Sequence, residues 1–388
     1  MDNQHNRTVP YWRLSSFYFF YFASLGALLP YWSLYLKSLG FDSIAIGAII
    51  AVIPATKIFA PYVWGWISDH TGHPVKIIRI TNFLAVIAFA GVFLGDGFFW
   101  LSLVMFAFSV FWNSSLPLIE STTLNHLGED HHHYSGIRLW GSLGFILTVM
   151  VLGEVLGVSD IDLVPKVILG FLICIFVMSL IIKESKRPHH EVQAPIFSVI
   201  RQPAVLAFLT VCFLMVLTHG PYYTFYSIYL EDFGYSRRMI GALWAVGVIA
   251  EVLVFLLMTR LLPVLGVRKL LLLTFFFTAL RWVLIGSFVN NIVILFIAQL
   301  FHAFSFGVFH AVGIALIHHY FTGKHQDRGQ ALYSSLSFGV GGALGSFLSG
   351  IFWDQISHTA LFNVAAIISL IALYIVWKYM NTELHRAS

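Results

Sequence analysis

Charge is scarce in this chain: Asp, Glu, Lys and Arg make up 10% of its 388 residues, while 59% are hydrophobic and the mean hydropathy is +0.83. No soluble core needs that much apolar surface, so a water-soluble domain is excluded. Cysteine is nearly absent, and Cys174 and Cys212 both fall inside apolar runs, which leaves no disulfide framework. Neither HExxH nor GxSxG occurs, so an intramembrane hydrolase would have no metal or nucleophile, and the chain is not read as an enzyme. The histidine runs His131 to His133 and His189 to His190 lack Cys or a second spaced ligand set. They read as solvated loop residues, and no metal or organic cofactor is expected. No low-complexity segment is present.

What is abundant is apolar sequence in membrane-length pieces. Windows of about 20 apolar residues place spans near 14–36, 43–66, 77–95, 98–123, 136–157, 164–182, 204–230, 239–260, 269–289, 291–320, 329–353 and 358–379. The expectation is an all-α integral membrane protein of twelve transmembrane helices. The first span is too long for a signal-peptide core and lacks a small-residue cleavage site, so it reads as a retained helix. Orientation follows Lys and Arg. With the amino terminus cytoplasmic, Lys37, Lys166, Arg237 and Arg238 fall outside, Lys57 and Arg281 fall within the membrane, and the rest lie on the inner side. Both termini are then cytoplasmic. The net charge of +4 reflects this bias toward an anionic inner leaflet and argues for no nucleic-acid partner.

The longest polar stretch, residues 184–203, divides the spans six and six. It is punctuated by Pro188, Pro195 and Pro203, with a short amphipathic piece (Ile196, Phe197, Val199, Ile200) suited to the membrane surface. The expected organisation is therefore a six-helix bundle over 1–183, a cytoplasmic linker over 184–203 and a second six-helix bundle over 204–388. A short polar run, GWISDHTGH (Gly65 to His73), lies between spans 2 and 3. Its counterpart after span 8, RLLPVLGVRK, keeps Gly266 and Arg268 in a loop role but lacks the Asp. In the first run a Gly allows two helices to approach, Asp69 can meet a helix N-terminus or a cation, and Gly72 permits a tight reversal.

Ionisable side chains inside a membrane cost about 2.5–3.5 kcal/mol each on the gentler insertion scales, and so mark pathways or pairs. Glu251 (span 8), Arg281 (span 9) and His302 (span 10) come at similar depth, with His310 about two turns after His302. Desolvation favours a neutral Glu251 while a nearby Arg281 favours its carboxylate, the competition a proton coupler needs. The alternative is a Glu251–Arg281 ion pair that only locks two helices together. The first half holds Lys57 in span 2, Asn113 and Glu120 on one face of span 4, and Arg138 with Trp140 at the start of span 5. These form the expected substrate pocket, with Arg138 able to take a carboxylate bidentately and Lys57 adding a second charge. Anchoring to lipid phosphate is the other reading of Arg138. His219, Tyr222, Tyr223 and Tyr226 on span 7 are placed to wall the cavity opposite. His219 beside Gly220 and Pro221 marks a helix broken at mid-depth, as at transporter cavities. The Gly-rich span 11 reads as close packing through Gly341 and Gly345.

Twelve spans as six plus six, with GxxxDxxG after span 2, resemble the major facilitator superfamily over the whole chain. The resemblance implies a cytoplasmic gate at Gly65, Asp69 and Gly72, although His70 and His73 stand where that family usually has Arg or Lys. Span 5 lacks the GPxxGG run of antiporters, which leans toward symport or uniport. GIRLWGSLGF, HGPYYTFYSIYL, LWAVGVIAEVLVF, LRW and QLFHAFSFGVFHA together resemble the phenylpropionate permease family. That resemblance implies import of a small aromatic carboxylate with a proton as coupling ion. The lactose permeases likewise carry a Glu, an Arg and a His on helices 8, 9 and 10, matched by Glu251, Arg281 and His302. Their further Glu is Ser305 here, which leaves Glu251 as the proton carrier.

The expected function is a proton symporter of a small organic solute in the cytoplasmic (inner) membrane, working as a monomer in the lipid bilayer. A neutral sugar or nucleoside is the alternative cargo. A non-transporting sensor is the alternative class, and it would have no need for Glu251 to titrate.

Overall fold

The computed structural model describes residues 9–128, 130, 133–157, 160–184 and 197–380. His131, His132, His189, His190, Ile196 and most of the expected linker lie outside the described residues. Every regular element among the described residues is helical, because in hydrocarbon each backbone N–H and C=O has to be satisfied within its own segment. The side chains left at the periphery, Phe99, Leu103, Leu256 and Ile367 among them, are apolar, as a lipid-facing surface requires.

Among the described residues, eleven helical segments are long and apolar enough to cross a membrane. They are Tyr11–Ser38, Ser43–Thr71, Pro74–Leu94, Phe98–Leu127, Tyr134–Val155, Leu163–Ile181, Pro203–Asp232, Arg237–Ser287, Ile292–Tyr320, Gln326–Phe352 and His358–Tyr379. One of them, Arg237–Ser287, has 51 residues, about 77 Å if straight against a hydrocarbon core of about 30 Å. It is not straight. Gly266 breaks it at φ 72° and ψ 162°, a backbone region essentially reserved for glycine. Glu251 and Arg281, far apart along the segment, meet His302 and Ser305 of the same following helix. The segment is therefore two limbs doubled back at Gly266, corresponding to expected spans 8 and 9.

Several spans are interrupted. Span 2 consists of Ser43–Thr56 and Ala60–Thr71, parted around Lys57, with Pro54 and Pro61 lacking the N–H that would continue the ladder. Span 7 divides into Pro203–Thr218 and Gly220–Asp232 at His219, as the His-Gly-Pro run predicts. Spans 10 and 11 each contain a widened, π-helical stretch, Ala303–Val308 and Ser334–Gly341. Phe197–Ile200 forms one helical turn before span 7. The helix starts are set by side chains: Asp42, Ser236, Asn291 and Ser357 each accept from a backbone N–H of the following first turn, satisfying donors that have no intrahelical acceptor.

The two halves show a matching detail. Arg79 on span 3 donates to the Ser179, Leu180 and Ile182 carbonyls at the end of span 6. Arg268 on span 9 donates to the Trp377 carbonyl near the end of span 12, at 2.6 Å. Between halves, spans 2 and 11 run in contact from Gly47 against Gly350 to Ile58 against Gly339, while Gly345 packs on Leu217 and Gly220 of span 7. At the end carrying residues 37, 154 and 232, ion pairs cross between the halves. Lys37 pairs with Asp232, Arg238 Nε lies 2.9 Å from Glu154 Oε2, and Arg237 Nη1 donates to the Leu156 carbonyl at 3.2 Å.

Candidate functional site

The ionisable groups of spans 8, 9 and 10 converge on the π-helical turn at Ala303–Val308. Gly307 makes this possible, since a methyl there would lie 2.6 Å from Val254 Cγ1 and 3.3 Å from Glu251 Cγ. With no side chain in the way, Glu251 Oε2 comes within 3.6 Å of His302 Nε2. The alternative reading, a Glu251–Arg281 ion pair, is not what the structure shows: among the described residues no carboxylate lies within 4.0 Å of the Arg281 guanidinium. The reason is local. Arg281 Nη1 donates to Ser305 Oγ at 2.9 Å and Nη2 to Gln299 Oε1 at 3.2 Å. The guanidinium carbon also stands 4.2 Å from the Tyr222 ring centroid and 4.8 Å from that of Trp282, where the negative ring faces attract a cation. Span 10 thus divides the two charges, taking Arg281 on neutral oxygens and Glu251 on an imidazole.

Gln299 organises this cluster. Its Oε1 also accepts from the Tyr222 hydroxyl at 3.0 Å, and its Nε2 donates to the Tyr226 hydroxyl at 2.6 Å. His219 Nδ1 lies 2.8 Å from the Met215 carbonyl. A carbonyl only accepts, so Nδ1 carries the hydrogen and Nε2 is left as an acceptor; that atom is buried and without a partner. His219 stacks on Tyr223 and meets Trp282 edge-on. Between His302 and His310 stands the Phe306 ring, its centroid 5.6 Å from the first imidazole and 6.1 Å from the second. The two histidines share a helix face, and a phenyl ring separates them.

In the first half, Arg138 Nε lies 3.8 Å from Glu120 Oε1, with both side chains 32% exposed. The guanidinium carbon is 3.9 Å from the Phe22 centroid. Asn113 is engaged in structure: its Nδ2 donates to the Ile53 carbonyl and to Thr56 Oγ1, both at 2.8 Å. It thereby satisfies a carbonyl exposed by the break in span 2. Lys57 sits at that break, its side chain without an ion pair or hydrogen bond among the described residues. Trp140 is not with Arg138. Two residues along a helix put it on the opposite face, where its Nε1 donates to the Tyr11 hydroxyl at 3.2 Å and its ring meets the exposed Trp12 edge-on.

Comparison with known proteins gives this arrangement a family. The model of the MFS_1 like family matches residues 11–364. The chain belongs to the major facilitator superfamily. It is 28% identical over 369 residues to a probable 3-phenylpropionic acid transporter of Escherichia coli, covering 92% of this chain and 95% of that one. It is 24% identical to a maltose permease of Geobacillus stearothermophilus, over 94% of each chain. The fold superposes on the crystal structure of the nucleoside transporter NupG with a TM-score of 0.84 at 16% identity, covering 96% of this chain and 99% of that one. This facilitator is accordingly a multi-pass membrane transporter and not an enzyme.

In the loop motif of this facilitator, Gly72 ends the Ala60–Thr71 helix in the left-handed conformation at φ 67°, its N–H bonded to the Ser68 carbonyl. Gly65 does not mediate the expected close approach: a methyl there would meet nothing within 4 Å among the described residues. Spans 2 and 11 touch one turn earlier, where the Ser335 and Tyr62 hydroxyls are 3.3 Å apart. Two residues of the site escaped the sequence argument, Gln299 and Gly307. The signal for Gln299 was present as an uncharged amide inside IVILFIAQL, where a polar group requires partners.

Proposed function

We propose that this facilitator is a proton-coupled importer of a small aromatic monocarboxylate, with 3-phenylpropionate as the model cargo. One observation carries the coupling: the mid-membrane carboxylate of Glu251 faces His302, a group that itself gains and loses a proton, and not a permanent cation. A carboxylate held by arginine would stay ionised through the cycle, whereas a carboxyl against an imidazole can load and release a proton as the cavity changes. His310, beyond the Phe306 ring, is the next proton acceptor along span 10. Support for the cargo comes from the name of the Escherichia coli relative and from the aromatic walls at Tyr222 and Tyr223. Lys57, Glu120 and Arg138 act on the cargo from the opposite half.

The two bundles, 1–183 and 204–388, move against each other about the linker, with both termini cytoplasmic in the inner membrane and one chain forming the working unit. The matching roles of Arg79 and Arg268 support that division. In this scheme the ion pairs of Lys37, Arg237 and Arg238 close the outer side, and Asp69 with Gly72 belongs to the inner gate.

Uptake of labelled 3-phenylpropionate into liposomes under an inward proton gradient, with voltage held at zero, tests the proposal. Accumulation is expected in the wild type, with equilibration but no accumulation in Glu251→Gln. Full accumulation by that variant would remove Glu251 from coupling. The second reading, a neutral sugar, is favoured by the similarity to the maltose permease. A proton moving with a neutral solute draws on the membrane potential, about 2.3 kcal/mol per charge per 100 mV, whereas one moving with a monoanion does not. Uptake abolished by collapsing voltage at fixed pH gradient would select the neutral cargo.

A further inference from the structure

Lys57 stands midway along Ser43–Thr71, about 21 Å from either end along the helices, too deep for its ammonium to reach the membrane surface. It continues the face of Ile46, Ile50 and Ile53, of which the first is buried and the others half-buried. The outward side of the same span carries Ile44 and Phe59, both exposed, with Phe59 against Phe106 at the periphery. Lys57 is therefore half-buried on the inner side. Other deep cations have partners. Arg281 has Ser305, Gln299 and two rings. Arg79 and Arg268 donate to carbonyls at the ends of spans 6 and 12, where the helix dipole is negative. A lysine at a helix break can serve the carbonyls released there, but Asn113 takes that of Ile53, and Ser335 Oγ, from the opposite half, takes that of Ile58. The Asn113 amide oxygen beside the break is itself without a partner, so Lys57 is not spent on it. An ammonium left without any acceptor in an apolar interior costs several kcal/mol, and an anion arriving from water offsets that cost.

Arg138 is placed differently. Leu139, Leu143, Leu147 and Met150 form the outward side of span 5, so the exposed third of the Arg138 side chain opens to the interior. Its charge has Glu120. Gly141 leaves room for the guanidinium against Phe22: a methyl there would lie 2.7 Å from Phe22 Cδ2 and 3.0 Å from Arg138 Nη1. Both rings near the guanidinium carbon, Phe22 at 3.9 Å and Tyr18 at 5.7 Å, belong to span 1, and the face turned away from span 1 is open to a further ring. Lys57 is level with Asn113 through its neighbour Thr56, and Arg138 is level with Glu120. Asn113 and Glu120 are about 10 Å apart along one face of span 4. The two cations bracket a stretch of that length.

We propose that the cargo lies along this stretch, its carboxylate on the Lys57 ammonium and its aryl ring on the open face of the Arg138 guanidinium. The inference rests on the reading of the protein as a carrier of aromatic carboxylates and adds which residue reads each end. The carboxylate goes to the cation that lacks any acceptor. The ring goes to the cation whose charge Glu120 already balances and whose planar group stacks. Two methylenes between ring and carboxylate, with the lysine side chain taking up the remainder, suit the interval.

Calorimetry on the purified full-length protein with three probes tests this: 3-phenylpropionate, its neutral amide 3-phenylpropionamide, and 3-cyclohexylpropionate, which keeps the carboxylate and lacks the π face. The wild type is expected to prefer 3-phenylpropionate over both. In Lys57→Gln the acid is expected to weaken by about 10- to 100-fold, the equivalent of one charge-assisted hydrogen bond, and to fall to the level of the amide, whose affinity stays unchanged. Arg138→Lys keeps the charge beside Glu120 and loses the planar fork. There the preference for phenyl over cyclohexyl is expected to shrink by about 3- to 10-fold, with the preference for acid over amide intact. An acid preference kept by Lys57→Gln, or lost in Arg138→Lys, would overturn the assignment and give the carboxylate to another cation, with the carrier reading intact. A wild type that does not distinguish phenyl from cyclohexyl would overturn the role of Arg138. A wild type that does not distinguish acid from amide would overturn the carboxylate reading and this inference with it. Should Lys57→Gln not fold, Lys57→Met, which leaves no polar group at the break, carries the same expectation and the same refutation.

Discussion

Arg138 and Arg281 both lie within membrane-length helices, and the fold treats them in opposite ways. Arg138 has a carboxylate at 3.8 Å, keeps about a third of its surface exposed and lies over one ring, Phe22. Arg281 is fully buried, has only neutral acceptors among the described residues and lies against two rings, Tyr222 and Trp282. An arginine already balanced by a carboxylate has little to gain from an anionic ligand. An arginine held in shape by uncharged groups keeps its charge uncompensated by any carboxylate among the described residues. The difference also explains why Glu251 has no arginine partner: with Arg281 occupied by Gln299 and Ser305, the carboxylate faces an imidazole.

Breaking the scaffold around Arg281 should have the largest effect. Gln299→Leu removes the acceptor shared by Tyr222 and Arg281 and the donor to Tyr226, leaving buried polar groups unpaired. Loss of about 3 kcal/mol or more is expected, read as a lower thermal midpoint in detergent. Gly266→Ala attacks the reversal that returns the chain and so brings Arg281 beside span 10. At φ 72° and ψ 162° a side chain costs about 1–3 kcal/mol; an unchanged midpoint would mean that the hinge relaxes without strain. Arg281→Met sharpens the contrast. If the cation is retained for transport and not for stability, a methionine of similar length leaves the midpoint unchanged or raises it, and a fall of more than about 2 kcal/mol would make Arg281 a structural residue. Least is expected from Glu120→Gln. Its pair with Arg138 is long and partly solvated, so about 1 kcal/mol or less should be lost, and a larger loss would show that this pair too is a structural clamp.

Much of this was legible in the chain. The membrane-length apolar runs, the break at His219 before Gly220 and Pro221, and the glycine contacts of span 11 follow from local rules of hydropathy, proline and backbone space. Glu251, Arg281 and His302 were identified as sharing a depth because depth is set by distance along a helix. Their pairing was not legible. Glu251 and Arg281 are the obvious partners by charge, yet rotation of each helix about its axis decides which groups touch, and that rotation depends on contacts such as Gly307 against Val254. Trp140 went astray for the same reason: it was grouped with Arg138 by proximity in sequence, while two steps along a helix point the other way. Asn113 was read as pocket because polar groups in spans mark pathways, whereas here it satisfies a carbonyl released by the kink in span 2.

The sequence by itself determined that this is a helical membrane protein, because burial in hydrocarbon acts on each segment independently and composition alone answers it; the major facilitator type was legible only as a resemblance, carried by the six-plus-six spans and GxxxDxxG. It also named the ionisable residues that had to be accounted for. Only the tertiary structure decided which of them are neutralised. Charge compensation in a low-dielectric interior depends on separations of a few ångströms between side chains from different helices, and no spacing within one helix encodes them.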